Sequence, residues 1–149
     1  YGHWLELGST TTREQWSEEG SHNHPMFGSG LVWFYRKLAG MNADPDQPGY
    51  KHIVFRPQPV DDIAFAKYFN QTPYGEAGIH WKNEDQQFSI LVTVPVGCEA
   101  TVYVPVMKGK VINESGRSIT DSKDVKFLKE EEGYQVFAVK SGKYEFVSK

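Results

Sequence analysis

Apolar positions along this chain follow two different periods. Phe27, Leu31, Phe34, Tyr35 and Leu38 fall at i, i+4, i+7, i+8 and i+11. That spacing lines one face of a helix, and it predicts a helix near residues 25–39. Pro25 suits its first turn, where the missing N–H goes unneeded. Arg36 and Lys37 sit near the negative end of the helix dipole. Gly40 is placed to take a left-handed conformation just past the end. From residue 49 onward the period drops to two. Ile53 and Phe55, Ile79 and Trp81, and Val102 and Val104 alternate with polar neighbours. Phe88, Ile90, Val92 and Val94 make an inward row with Ser89 and Thr93 facing out. Val125, Phe127, Tyr134, Val136, Phe137, Val139, Tyr144, Phe146 and Val147 supply later strands. Turn signals separate these runs at Pro73-Tyr74-Gly75, Asn83-Glu84-Asp85, Pro95-Val96-Gly97, Lys108-Gly109, Glu114-Ser115-Gly116, Glu132-Gly133 and Ser141-Gly142. Many short alternating strands at this spacing predict an antiparallel β-sandwich, so the chain reads as mainly β.

The change of period falls at Asn42-Ala43-Asp44-Pro45-Asp46-Gln47-Pro48-Gly49, a linker rich in turn formers. It divides the sequence into residues 1–43 and 49–149. A lone helix with a wide apolar face cannot bury that face by itself. It needs the sandwich or helices from elsewhere. Among the tryptophans, Trp4 and Trp33 read as core of the first part and Trp81 as core of the sandwich.

Composition narrows the function classes. A formal charge of −3 without any Lys/Arg run gives no electrostatic case for nucleic acid or an anionic membrane. No apolar run approaches the roughly 20 residues of a membrane-spanning helix. Cys98 is the single cysteine and reads as a small packed residue. Phosphate loops, nucleophile triads and cysteine pairs are missing, so no cofactor is expected. The first residue is Tyr1 rather than Met, which suggests a segment of something larger.

The candidate chemistry lies in Gly8-Ser9-Thr10-Thr11-Thr12-Arg13-Glu14-Gln15-Trp16 and Ser21-His22-Asn23-His24-Pro25-Met26-Phe27-Gly28. A carboxylate, imidazoles and an indole together supply a proton acceptor, partners for hydroxyls and a flat apolar face, which a sugar site needs. Each also has a plainer reading. Thr11 and Glu14 have the spacing of a capping box. His22 and His24 suit a helix entry. As a metal pair they lack a third ligand, and no metal is expected. Trp16 either stacks on a sugar or fills a wall of the fold.

These segments resemble the late part of the bacterial α-L-rhamnosidases of glycoside hydrolase family 78, with their Gly-Ala-Thr-Thr-x-Trp-Glu-x-Trp and Asn-His-x-x-Phe-Gly motifs. The order continues through Trp33-Phe34-Tyr35-Arg36, Pro48-Gly49-Tyr50-Lys51-His52-Ile53, Arg56-Pro57-Gln58-Pro59, Thr72-Pro73-Tyr74-Gly75, Val102-Tyr103-Val104-Pro105 and Ser141-Gly142-Lys143-Tyr144-Glu145-Phe146. The resemblance implies that residues 1–43 are the last helical segment of an (α/α)6 barrel and 49–149 the terminal sandwich. It implies Glu14 as the general base of an inverting glycosidase, with His24 and Trp16 as sugar contacts. It further implies a rhamnose-containing substrate and, as partner, an upstream catalytic domain of the same polypeptide carrying the general acid. Two positions depart from the motif: Ser9 stands where the family usually has Ala, and Arg13 where it usually has Trp. A non-catalytic carbohydrate-binding or bracing sandwich is the alternative, and an exposed aromatic row on one sheet would mark the binding form.

Overall fold

The computed structural model describes residues 1–84, 87–106, 111–119 and 122–148. The chain forms two compact units, Tyr1–Phe34 and Tyr35–Lys149. The proposed turn at Lys108-Gly109 and the Asp85 end of the turn at Asn83-Glu84-Asp85 lie outside the described residues.

In the first unit, helix α1 spans Gly2–Glu6. A 3₁₀ turn covers Pro25–Ser29, and helix α2 covers Gly30–Trp33. A π-helical stretch at Phe34–Ala39 follows, all but its first residue in the second unit. The predicted helix is therefore helical throughout but in three geometries. Gly28, Ser29 and Gly30 are poor α-formers, and the run begins in the tighter 3₁₀ form. Its end is wide: the Gly40 N–H donates to the Tyr35 carbonyl at 3.0 Å, a five-residue step. Gly40 takes φ +87°, as expected for the residue after the helix. Trp33, expected in the core, is exposed, as are Leu31 and Phe34.

In the second unit the strands are β1 (Met41–Ala43), β2 (His52–Phe55), β3 (Phe65–Thr72), β4 (Gly75–Glu84), β5 (Gln87–Val94), β6 (Glu99–Pro105), β7 (Ile112–Glu114), β8 (Arg117–Ser118), β9 (Val125–Glu131), β10 (Tyr134–Val139) and β11 (Gly142–Ser148). They form two sheets, ordered β1-β2-β6-β10-β9 and β3-β4-β5-β11-β7-β8. The sandwich expectation holds with one correction. β2 and β6 run parallel, with Ile53 opposite Ala100, while the other described pairs are antiparallel. The cause is connectivity: β3, β4 and β5 lie in the opposite sheet, so the chain returns to the first sheet from the same end.

The inward rows are those the alternation marks. Ile53, Phe55, Ile79, Trp81, Phe88, Ile90, Val92, Val102, Val104 and Phe146 are buried. Phe137 of β10 stacks on Phe146 of β11, at 5.2 Å between ring centres, and so joins the two sheets. Trp81 buries its indole and donates its N–H to the Leu38 carbonyl at 2.8 Å, which fastens the helical stretch to the core. The N–H of Gln58 reaches the Lys37 carbonyl at 2.9 Å, and the Asn42 amide reaches the Arg36 carbonyl at 2.9 Å. The carbonyls of Arg36, Lys37 and Leu38 are thus satisfied. Cys98 is buried, and burial pushes its thiol pKa up.

Candidate active site

Glu14, Trp16 and His24 all lie in the first unit. Two loop segments pair there through their backbones. The Glu14 N–H donates to the Ser21 carbonyl at 2.9 Å, and the His24 N–H to the Thr12 carbonyl at 2.8 Å. Thr11 and Thr12 add hydroxyl bonds to the carbonyls of His22 and His24. The threonines of the motif thus serve as clips that hold the carboxylate-bearing segment against the histidine-bearing one. No helix begins at Thr11, so the capping-box reading does not describe this loop.

The Glu14 side chain folds toward Ser21, whose backbone N–H donates to Oε2 at 3.0 Å. Gly20 beside it has φ +79°, and a Cβ there would stand 3.0 Å from Oε2. The backbone conformation favours glycine at position 20, and a side chain there would press on the carboxylate. Sequence reasoning passed over Gly20 and Ser21, although a glycine and a serine closing the loop between Glu14 and His24 was the available signal.

His24 lies just before the 3₁₀ turn with extended backbone (φ −125°, ψ 124°). Its ring is free of any protein hydrogen bond among the described residues, whereas the His22 Nε2 lies 3.1 Å from the Glu18 carbonyl. Trp16 is 51% exposed, yet one face is fully supported. It stacks on Trp4, 4.6 Å between centres and 24° between planes, with Phe27 at 4.8 Å and Tyr1 at 5.9 Å. Trp4 itself is only 3% exposed and forms the core of the unit, as expected. The indole of Trp16 is thus a flat surface that is braced behind and open in front.

The sandwich offers a different surface. β3 turns Phe65 and Phe69 outward, beside a cleft of about 380 Å³ lined by His80, Lys82, Glu84, Gln87, Ser89, Leu91 and Glu145. Partial burial, with Lys82 and Lys67 nearby, pushes the His80 pKa down. The two rings do not form a stacking row. Phe69 lies over Gly78, so close that a Cβ there would come within 2.2 Å of the ring. Lys67 sits 5.0 Å from the same ring, and Phe65 meets His80 edge-on. A second polar cluster joins Asp44, His52 and Thr101: His52 Nδ1 is 2.7 Å from Asp44 and Nε2 is 3.0 Å from the Thr101 hydroxyl. It pins the linker to β2 and β6. Among the described residues no group of three or more His, Cys, Asp or Glu side chains could hold a metal.

Residues 40–118 match the bacterial alpha-L-rhamnosidase C-terminal domain. The alpha-L-rhamnosidase of Formosa agariphila is 28% identical over 97% of this chain and 17% of its own length. That of Streptomyces avermitilis is 27% identical over 98% of this chain and 14% of its own. The solved alpha-L-rhamnosidase of Dictyoglumus thermophilum superimposes with a TM-score of 0.88, at 39% identity, over 99% of this chain and 17% of that one. The Streptomyces avermitilis enzyme, solved with L-rhamnose, gives a TM-score of 0.84 at 26% identity, over 99% and 14%. The chain thus spans about one-sixth of the relatives it matches. The chain belongs to the bacterial α-L-rhamnosidase family, residues 40–118 being its C-terminal domain.

Proposed function

We propose that this chain is the C-terminal part of a glycoside hydrolase that removes terminal α-L-rhamnose from glycosides or polysaccharides with inversion. The N-terminal part, within residues 1–43, closes the catalytic (α/α)6 barrel, and the sandwich that follows takes in β1 (Met41–Ala43) ahead of residues 49–149. Glu14 takes the proton from the attacking water. His24 holds a sugar hydroxyl and Trp16 offers its open face to the ring. An inverting enzyme needs a second carboxyl, about 6.5–9.5 Å away, to protonate the leaving oxygen. That acid comes from the upstream catalytic domain, so the chain alone is inactive: one carboxylate cannot perform both proton transfers. The relatives, about six times longer, leave room for such a domain.

One observation carries this reading. The loop pairing sets Glu14 and His24 on adjoining segments and holds the carboxylate through the Ser21 N–H. A helix cap would have placed Glu14 at a helix start instead. The alternative of a carbohydrate-binding sandwich finds less support, because the outward Phe65 meets His80 edge-on and the outward Phe69 lies on Gly78 beside Lys67.

The test is Glu14→Gln in the full-length polypeptide, assayed on an aryl α-L-rhamnoside. The amide keeps the shape but cannot accept a proton. General-base assistance is commonly worth about 10²–10⁴-fold, so kcat should fall by that much with KM nearly unchanged. His24→Ala should raise KM and lower kcat together, since a sugar contact exists in ground and transition states alike. A Glu14→Gln variant that keeps most of its kcat would overturn the assignment.

A further inference from the structure

Arg13 has a burial that its charge does not explain. It is only 9% exposed. Among the described residues its hydrogen bond runs from Nε to the Ser9 hydroxyl at 2.9 Å. Among the described residues no carboxylate lies within ion-pair distance of it. The side chain is largely covered, and removing the Ser9 hydroxyl would leave the Nε–H donor unpaired at a covered position. Thr12 and Glu14, on either side, direct their side chains to the paired segment. Arg13, between them, turns back to its own loop.

Ser9 is itself anchored. Its backbone N–H donates to the Trp4 carbonyl at 2.8 Å, and Trp4 is the buried centre of the aromatic cluster. A continuous path therefore runs from the core at Trp4 through Ser9 and Arg13 to the backbone of Glu14. The Arg13 side chain and the Ser9 hydroxyl thus link the aromatic core to the loop that carries Glu14.

We infer that Ser9 and Arg13 form a coupled brace that fixes the loop carrying Glu14, and that Arg13 is a positioning residue for that carboxylate. The inference rests on Glu14 being the base. Neither side chain takes part in the chemistry or touches the sugar. The brace acts on the rate of turnover through the position of Glu14.

The experiment is a mutant cycle in the full-length polypeptide on an aryl α-L-rhamnoside. It comprises Ser9→Ala, Arg13→Trp and the double variant, with Glu14→Gln and Ser9→Thr as controls. Each single substitution is expected to lower kcat about tenfold with KM little changed, as for a small displacement of a reacting group. The double variant leaves neither partner unmatched, so its loss should be smaller than the product of the two single losses. Ser9→Thr keeps the acceptor hydroxyl and should stay near wild type, even if Ser9→Ala folds poorly. Losses that simply multiply in the double variant would overturn the coupling. A change in KM alone would overturn it too, by making Arg13 a substrate contact, and so would a lowered Tm with kcat intact. If Glu14→Gln retains turnover, the functional reading fails instead. The brace is then judged by the same cycle on Tm, where non-additivity keeps it and additivity removes it.

Discussion

The two units of this chain handle apolar surface in opposite ways. In residues 35–149 two sheets close on each other, and Phe55, Trp81, Phe137 and Phe146 are all fully enclosed. In residues 1–34 only Trp4 is enclosed among the large apolar side chains, while Leu31, Val32, Trp33 and Phe34 remain open to solvent in a row. A run of exposed apolar side chains of this kind marks a surface made for contact. The contrast separates two tasks. The sandwich has a core of its own, and the polar clusters it carries, such as Asp44-His52-Thr101, tie its own elements together. The helical unit carries the candidate chemistry on loops held by backbone pairing and threonine clips. Loops set on a fixed support are where binding and catalytic groups commonly sit.

The comparison can be broken most forcefully at Gly40. Its φ is +87°, and a Cβ would come within 2.3 Å of the Pro57 backbone nitrogen. Neither atom belongs to a flexible side chain, so the backbone itself would have to shift. Gly40→Ala should destabilise the sandwich by about 2–5 kcal/mol, combining left-handed strain with overpacking. Chemical denaturation followed by Trp fluorescence would read this, because Trp81 bonds to Leu38 two residues before Gly40. Wild-type stability in this variant would mean that the helical stretch does not depend on the Gly40–Pro57 approach.

Gly20 is the counterpart in the helical unit. It shares the positive φ, but the atom facing its missing Cβ is the Glu14 carboxylate oxygen, at 3.0 Å. Gly20→Ala should cost only about 1–2 kcal/mol of stability, the usual penalty for a left-handed alanine. In the full-length polypeptide it should nevertheless lower kcat by about tenfold or more, since small misplacements of a reacting group are expensive. Parallel measurement of Tm and steady-state kinetics separates the two glycines. One governs folding and the other governs the position of a side chain. Equal proportional losses in both assays would erase that distinction.

The sequence was most readable where one physical rule decides. Period-two alternation marks β5 residue by residue, because each inward position meets the opposite sheet. It missed β3, which presents Ala66, Tyr68, Asn70 and Thr72 to the interior side and Phe65, Lys67 and Phe69 outward, reversing the polarity that alternation relies on. β3 is an edge strand, and edges tolerate such mixtures. The parallel pairing of β2 and β6 left no local trace either, because it follows from where the intervening strands go. At the candidate site the residue types were legible but their roles were not. The spacing of Thr11 and Glu14 fits a helix cap, and only the bonds to His22 and Ser21 show a paired loop. Trp33 was read as core because its type favours burial, yet burial needs a partner as well as a residue type.

The smallest effect is expected at Arg56, within the sandwich. Its guanidinium lies 4.7 Å from the ring centre of Tyr103 and 5.5 Å from that of Tyr134. It also reaches Glu132 at 2.6 Å and Glu131 at 3.5 Å. The ion pairs look short, but the Glu132 side chain is 75% exposed, and exposed pairs contribute little. The rings matter more, for they hold the planar cation over apolar surface. Tyr134 is further fixed by donating its hydroxyl to the Pro57 carbonyl at 2.8 Å. Arg56→Met should therefore cost about 1 kcal/mol, mostly through lost cation–π contact. Arg56→Lys should recover only part of it, because an ammonium lacks the flat face that lies along an aromatic ring. Salt distinguishes the causes. Exposed ion pairs are largely screened at about 1 M salt, whereas ring contact is not. If the difference between wild type and Arg56→Met persists in high salt, the tyrosines hold this arginine. If it vanishes, the glutamates do, and the sandwich depends on surface charge more than its closed core suggests.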